Sequence, residues 1–264
     1  MRDFTGPALR LLLETFLSSG YAFQTFAGFT REPAGRVIIL RHDVDKRKLN
    51  SLNTALLEKE LGITGTYYFR VVPSSFDEKI IREIASMGHE IGYHYEDLAL
   101  AGGDEQKAIS LFGEHLDMLR GIVPVETICM HGSPLSRYDN RHLWKNHDYR
   151  RYGIIGEPYF DLDFDEVLYL TDTGRRWNGE PVSVRDKNPA PGLLSSPKDF
   201  PSLARQLKTS FDIIRFAENN LLPDRIMLTL HPQRWDDRPG PWLRELVWQN
   251  IKNTVKRQIV KYRD

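Results

Sequence analysis

Short runs of apolar, β-branched residues alternate along this chain with longer stretches in which apolar residues recur at helical spacing. Residues 36–41 read as a strand that runs into His42-Asp43-Val44-Asp45, and residues 64–71, 90–94, 126–130 and 225–230 read as further strands. Between them, helical patterns cover 49–61, 75–87 and 104–121, with Gly62 and Gly88 as stops after the first two. A helix over 7–19 opens the chain, a short one is expected near 140–146, and helices over 202–220 and 241–261 close it. Trp242, Leu246, Ile251 and Val255 of the closing helix could serve the body of the protein or a dimer, and packing on the body is expected.

Strand and helix in alternation, with strands apolar almost throughout, predict a parallel sheet covered by helices. The expected class is α/β, one domain over residues 1–264, in which a closed or nearly closed (β/α) barrel competes with an open doubly wound sheet. No G-x-G-x-x-G follows the first strand, which removes support for a dinucleotide-binding sheet. Residues 148–200 break the alternation, being rich in Gly, Pro, Asp and Arg, with β pieces expected around 167–170 and 182–184. The chemically able side chains Asp43, Asp45, His94, His131 and His231 all fall just after strand ends, where the active sites of barrels collect.

Composition narrows the class of function. The 264 residues carry 36 basic and 36 acidic side chains, a balance that argues against nucleic acid as partner. A single cysteine, Cys129, excludes an internal disulfide framework and reads as a small buried residue. No apolar run is long enough to span a bilayer, and the N-terminal pattern lacks a signal-peptide layout, so the expected compartment is the cytoplasm. Nothing in the pattern assigns an oligomeric state.

Asp43 and Asp45 stand two apart in an extended segment, so their side chains point the same way. Two adjacent carboxylates repel unless a cation or proton lies between them. One can hold a divalent metal while the other takes a proton from water; the plainer reading is a strand-end turn neutralised by Lys46-Arg47-Lys48. His94 is a natural zinc-type ligand, with Gly92 leaving room for a neighbouring group. His131 precedes Gly132, whose N–H suits a developing oxyanion, and His231 is a candidate general acid for a leaving amine. His42 and His89 are expected to face away from these groups. In the segment 157–187, Asp172 is a candidate to orient His231 or the base. Arg176 is one for binding an anionic group, and Trp177 and Trp235 for stacking on a sugar ring; the plainer reading is a solvated β excursion with Trp177 packed in a secondary core.

Arg41-His42-Asp43-Val44-Asp45, then Gly88-His89-Glu90-Ile91-Gly92-Tyr93-His94, then Leu228-Thr229-Leu230-His231 resemble, in this order, the motifs of the polysaccharide deacetylase superfamily, which includes carbohydrate esterase family 4. The resemblance spans residues 36–235 and implies a distorted, seven-stranded (β/α) barrel. It also implies Asp43 as base, Asp45 and His94 as metal ligands, and His231 as general acid. Two departures stand out. The second motif of that family ends His-x-x-x-His, but Leu98 occupies the last position here, and His131-Gly132-Ser133-Pro134 replaces an Arg-Pro-Pro-Tyr-like third motif. The missing ligand leaves three solutions: His131 from the next strand end, Glu96 from the loop, or a weak or absent metal. His131 is preferred, because it occupies the neighbouring strand end.

The expectation is therefore a hydrolase with one divalent metal ion, zinc before other transition metals, held by Asp45, His94 and His131. It would remove an acyl group, acetyl foremost, from an amino sugar or glycan precursor. The competing expectation is a catalytically silent barrel that binds carbohydrate or a partner protein in surface-glycan biosynthesis, a reading Leu98 supports.

Overall fold

The computed structural model describes residues 1–132, 136–177 and 200–261. Its element order is α1 (Gly6–Ser18), β1 (Ala22–Gln24), α2 (Phe26–Arg31), β2 (Val37–Val44), α3 (Lys48–Glu60), β3 (Thr66–Phe69), α4 (Glu78–Ser86), β4 (Glu90–Tyr95), α5 (Asp97–Leu100), α6 (Glu105–Arg120), β5 (Ile128–Met130), α7 (Pro158–Asp161), β6 (Leu168–Thr171), α8 (Phe200–Gln206), α9 (Ser210–Glu218), β7 (Arg225–Leu230) and α10 (Pro239–Lys261). The seven strands form one sheet in which every pairing is parallel, in the order β5-β4-β3-β2-β7-β6, with β1 beside the first half of β2. This is the α/β class that the alternation predicts, with helices between strands as parallel connections require.

The ladder is not closed by a β5–β6 pairing among the described residues. Beyond β5, a single parallel bridge joins Thr127 to Gly156. Glu157 then ties the gap from inside: its carboxylate accepts the Met130 N–H at 3.0 Å and the Tyr159 N–H at 2.5 Å. Burial pushes this carboxyl up to about 7 against those two bonds and the charges of Arg41 and Arg141. The sheet is thus curled and interrupted, a distorted barrel rather than a full one.

β2 lies at the centre, pairing with β1, β3 and β7, and all eight of its residues are buried. Its two faces do different work because side chains alternate along a strand. His42 points toward the helices, stacked on Tyr67 at 4.0 Å between ring centres, with Nε2 2.8 Å from Glu58 of α3. His89 joins this layer, accepting the Gly65 N–H at 3.1 Å. Arg41 and Asp43 share the opposite face and pair there. Two apolar clusters flank the centre. One is built on Tyr68, Ile84, Tyr93 and Phe112, the other on Leu12, Phe16, Leu228 and Trp177.

Three local readings are corrected. The helix expected over 202–220 is two helices, because Thr209 stops α8 and opens α9 with a capping box: its side chain accepts the Asp212 N–H while the Asp212 carboxylate accepts the Thr209 N–H. The closing helix turns its polar side inward. Glu245, Gln249 and Asn253 are buried, whereas Ile251 is exposed and Trp242 and Leu246 are half-buried. The Val255 side chain lies outside what is described, as do the β piece expected at 182–184 and Ser133-Pro134. Third, β1 and α2 were not expected at all; Ala22–Gln24 is too short for alternation to register. No helix among the described residues is long and apolar enough to cross a membrane.

Candidate metal and acid–base site

Parallel strands end at one edge of the sheet, and the residue following each of β2 to β7 carries chemistry: Asp45, Arg70, Glu96, His131, Asp172 and His231. The register makes neighbours of these positions. Tyr95 pairs with Met130, which sets Glu96 beside His131, and Thr171 pairs with Thr229, which sets Asp172 level with Leu230, one residue before His231.

On one side, Asp45, His94 and His131 converge, with their ligand atoms all within 4.8 Å of one another. His94 Nδ1 lies 2.9 Å from the Cys129 carbonyl, and His131 Nδ1 lies 2.9 Å from Glu96 Oε2. Both partners only accept, so each Nδ1 carries a proton and each ring turns its Nε2 toward Asp45. Those two nitrogens stand 3.6 Å (His94) and 3.4 Å (His131) from Asp45 Oδ1. Oδ1 is buried and has no hydrogen-bond partner, while Oδ2 accepts from Gln233 at 2.9 Å. Two imidazole nitrogens and an orphaned carboxylate oxygen converging on one point form a donor set that suits a cation. Ligands about 2.0–2.2 Å from a tetrahedral ion stand roughly 3.3–3.6 Å apart, so the donor set fits a zinc-type ion.

Second contacts support the set. Glu96 Oε1 accepts from Arg70 Nε at 2.8 Å and Nη2 at 2.6 Å, and Arg70 also donates to the Asp45 carbonyl at 3.1 Å. Burial pushes the Glu96 carboxyl up, but His131 and Arg70 outweigh it and hold it down at about 2. Burial likewise pushes Asp45 up, and its contacts with His94, His131 and His231 outweigh that and hold it well below the usual carboxylate range. Glu96 therefore stands behind His131 rather than beside it. Leu98, where the resembling motif has a histidine, sits in α5 and is buried in the apolar cluster with Tyr93 and Phe112.

On the other side lie Asp43 and His231. Arg41 donates Nε and Nη2 to the two Asp43 oxygens at 2.8 and 2.7 Å, with both residues almost fully buried. Burial raises the Asp43 carboxyl, and Arg41, then His94 and His231, more than compensate and keep it low. Asp43 Oδ2 is 3.8 Å from His94 Nε2 and 4.0 Å from His231 Nε2, so it stands between the ligand set and His231. His231 Nδ1 lies 2.6 Å from Asp172 Oδ1. Asp172 is fully buried and takes four more hydrogen bonds through its carboxylate and carbonyl, from the His231 N–H, twice from Arg234 Nη1, and from the Trp235 indole. Burial and Arg234 push His231 down, but Asp172 and Asp45 prevail and raise it above the usual imidazole value.

Some expected positions lie elsewhere. Trp177 and Trp235 are buried rather than open to a sugar. Both pack on Phe4 and on each other, with ring centres 6.2 Å apart, and the Trp177 indole donates to Ser210 at 3.0 Å. They belong to the core under α1 because the turn Thr173–Arg175 and Pro232–Arg234 fold them inward. Arg176 is partly exposed beside that turn, and Arg185-Asp186-Lys187 lies outside the described residues. Arg41, Arg70, Gln233 and Arg234 went unnoticed in the sequence. Arg41 was readable in principle, since it stands two before Asp43 on the same face.

No protein-family model matches the chain, and no curated protein matches it. Among solved structures it is similar to a Streptococcus mutans CE4 esterase, at 14% sequence identity and a TM-score of 0.43, over 92% of this chain and 91% of that one.

Proposed function

We propose that the chain is a metal-dependent hydrolase of the polysaccharide deacetylase type, a single domain that removes an acyl group, acetyl foremost, from an amino sugar or glycan precursor. The observation that carries this reading is the three-way arrangement of Asp45, His94 and His131 around one point, with Asp43 on its flank and His231 beyond Asp43. A binding module has no use for two imidazoles oriented by carbonyl and carboxylate partners toward one buried carboxylate oxygen.

Asp45, His94 and His131 would hold a divalent ion, which when bound supplies Lewis-acid polarisation of the amide carbonyl and acidifies water. Asp43, kept ionised by Arg41, accepts a proton from the attacking water as its oxygen bonds to the acyl carbon. His231, kept protonated by Asp172, donates its Nε2 proton to the amide nitrogen as the C–N bond breaks. The products are a carboxylate and a free amine. Asp172 acts only through His231, holding the ring and stabilising its charge, and is a positioning residue.

The test is elemental analysis of the purified protein with His94→Ala and His131→Ala beside it, followed by acetate release from N-acetylated amino sugars. The reading expects about one transition-metal ion per chain, lost in both variants, and acetate release abolished by Asp43→Asn with metal retained. A chain that takes up no metal on reconstitution would return the silent binding barrel to first place.

A further inference from the structure

The closing helix is inverted. α10 turns Glu245, Gln249 and Asn253 toward the protein, at 3%, 7% and 0% exposure, and turns Leu243, Val247, Trp248 and Ile251 to solvent, each about half exposed (55%, 51%, 50% and 50%). A surface helix ordinarily does the reverse. The inward polar residues have a reason to be there. Glu245 lies 3.6 Å from Lys46 and from Arg47, and Asn253 donates to the Gly174 carbonyl at 2.9 Å. Lys46 and Arg47 directly follow Asp45, and Gly174 lies two residues past Asp172, so α10 rests on the edge of the sheet that carries the candidate site. The outward apolar stripe has no such internal partner among the described residues.

Charge decides what covers it. α10 contains five basic residues (Arg244, Lys252, Lys256, Arg257 and Lys261) and one acid, Glu245, which is buried against Lys46 and Arg47. Arg244 is exposed beside the stripe, and Lys252 Nζ sits 5.3 Å from the Trp248 ring centre. A second copy of the chain laid on this face would oppose like charges. An apolar stripe with a tryptophan at its middle, flanked by cations and without an exposed acid, has the chemistry of a helix lying in the interface of an anionic bilayer.

We infer that α10 is a membrane-surface contact that seats the site-bearing edge of the protein on anionic lipid. The helix does not span the bilayer; its outward face enters the headgroup region while its inward face stays on the protein. This inference goes beyond the hydrolase reading and is tested without substrate, so either can fail alone.

The experiment is co-sedimentation of the full chain with vesicles of phosphatidylcholine alone and of phosphatidylcholine with phosphatidylglycerol, at low and high salt. The expected result is binding to the anionic vesicles only, weakened by salt. It should fall by at least about tenfold in Trp248→Glu and Ile251→Glu while circular dichroism and melting stay unchanged. Leu221→Glu, an equally exposed apolar site just after α9, should leave binding intact. No binding to anionic vesicles would overturn the inference, as would equal loss in Leu221→Glu. Light scattering that shows a dimer dissociated by Trp248→Glu would also overturn it and assign the stripe to a second copy.

Discussion

Arg41 and Asp43, two residues apart on β2, form a buried bidentate ion pair in which both carboxylate oxygens are taken. The strand delivers acid and neutraliser together, since i and i+2 share a face. Removing the cation alone leaves a buried, uncompensated carboxylate, which costs about 3–5 kcal/mol. Arg41→Met should therefore destabilise the fold by that order in urea titrations, and Arg41→Lys should recover little, because an ammonium cannot satisfy both oxygens in the same fork. The double variant Arg41→Met/Asp43→Leu, which removes both charges, should regain most of the loss.

Asp172 reaches the candidate site only through His231, so its removal should act on turnover rather than on substrate affinity. Asp172→Asn is expected to lower kcat by roughly 10²–10⁴ with KM little changed, as when the carboxylate behind a catalytic imidazole is neutralised. A steady-state kcat and KM split on an N-acetylated amino sugar checks this, and a change confined to KM would contradict the assigned role.

Behind His131, Glu96 fixes the proton on Nδ1 and is itself clamped by Arg70. Losing such a partner costs about 10–100-fold in metal affinity. Glu96→Gln should show that loss in a competition titration with a chelator, while still binding one ion. Abolished binding would instead make Glu96 a ligand.

His115 of α6 lies 2.7 Å from the buried Asp97 carboxylate, which raises its pKa chiefly through the hydrogen bond, against partial burial. A histidine raised in the folded state contributes stability that is complete below its unfolded value of about 6.5 and disappears as pH rises through the folded value. Stability should thus decline as pH is raised from about 6.5, and His115→Phe should flatten that decline. Denaturant midpoints across the pH range test it.

Gly92 admits the ring of Tyr68. A Cβ there would run into Cε1 of the Tyr68 ring, closer than any relaxed contact, with the Thr127 carbonyl 3.1 Å away. Gly92→Ala should destabilise by about 1–3 kcal/mol through overpacking, measured by chemical denaturation.

Which features were legible in the sequence follows from where their causes lie. The sheet was readable because a parallel strand buried on both faces is largely apolar, as Val37–Leu40 of β2 and Ile226–Leu228 of β7 are. Strand-end residues such as His94, His131 and His231 stood out because polar groups abruptly follow such runs. The reversed orientation of α10 was not readable. Its polar face answers to Lys46, Arg47 and Gly174, residues far away in sequence, and helical periodicity alone does not say which face is inside. The same limit applies to Trp177 and Trp235, whose burial depends on Phe4 at the other end of the chain. The split between α8 and α9 was legible in principle, since Thr209-x-x-Asp212 is a capping pattern lying inside an otherwise helical stretch.

The pairing of β2 with β7 sets Val37 against Arg225 and His42 against Leu230, so the central ladder joins nearly opposite ends of the chain. Contacts of such separation are costly in loop closure and form slowly. A chain emerging during synthesis carries Asp43, Asp45, His94 and His131 long before His231 exists to face them. Yet β2, which carries Asp45, pairs with β7, and Gln233, which holds Asp45 Oδ2, is translated after His231. The two sides of the candidate site therefore take their folded geometry together, once the last strand is in place.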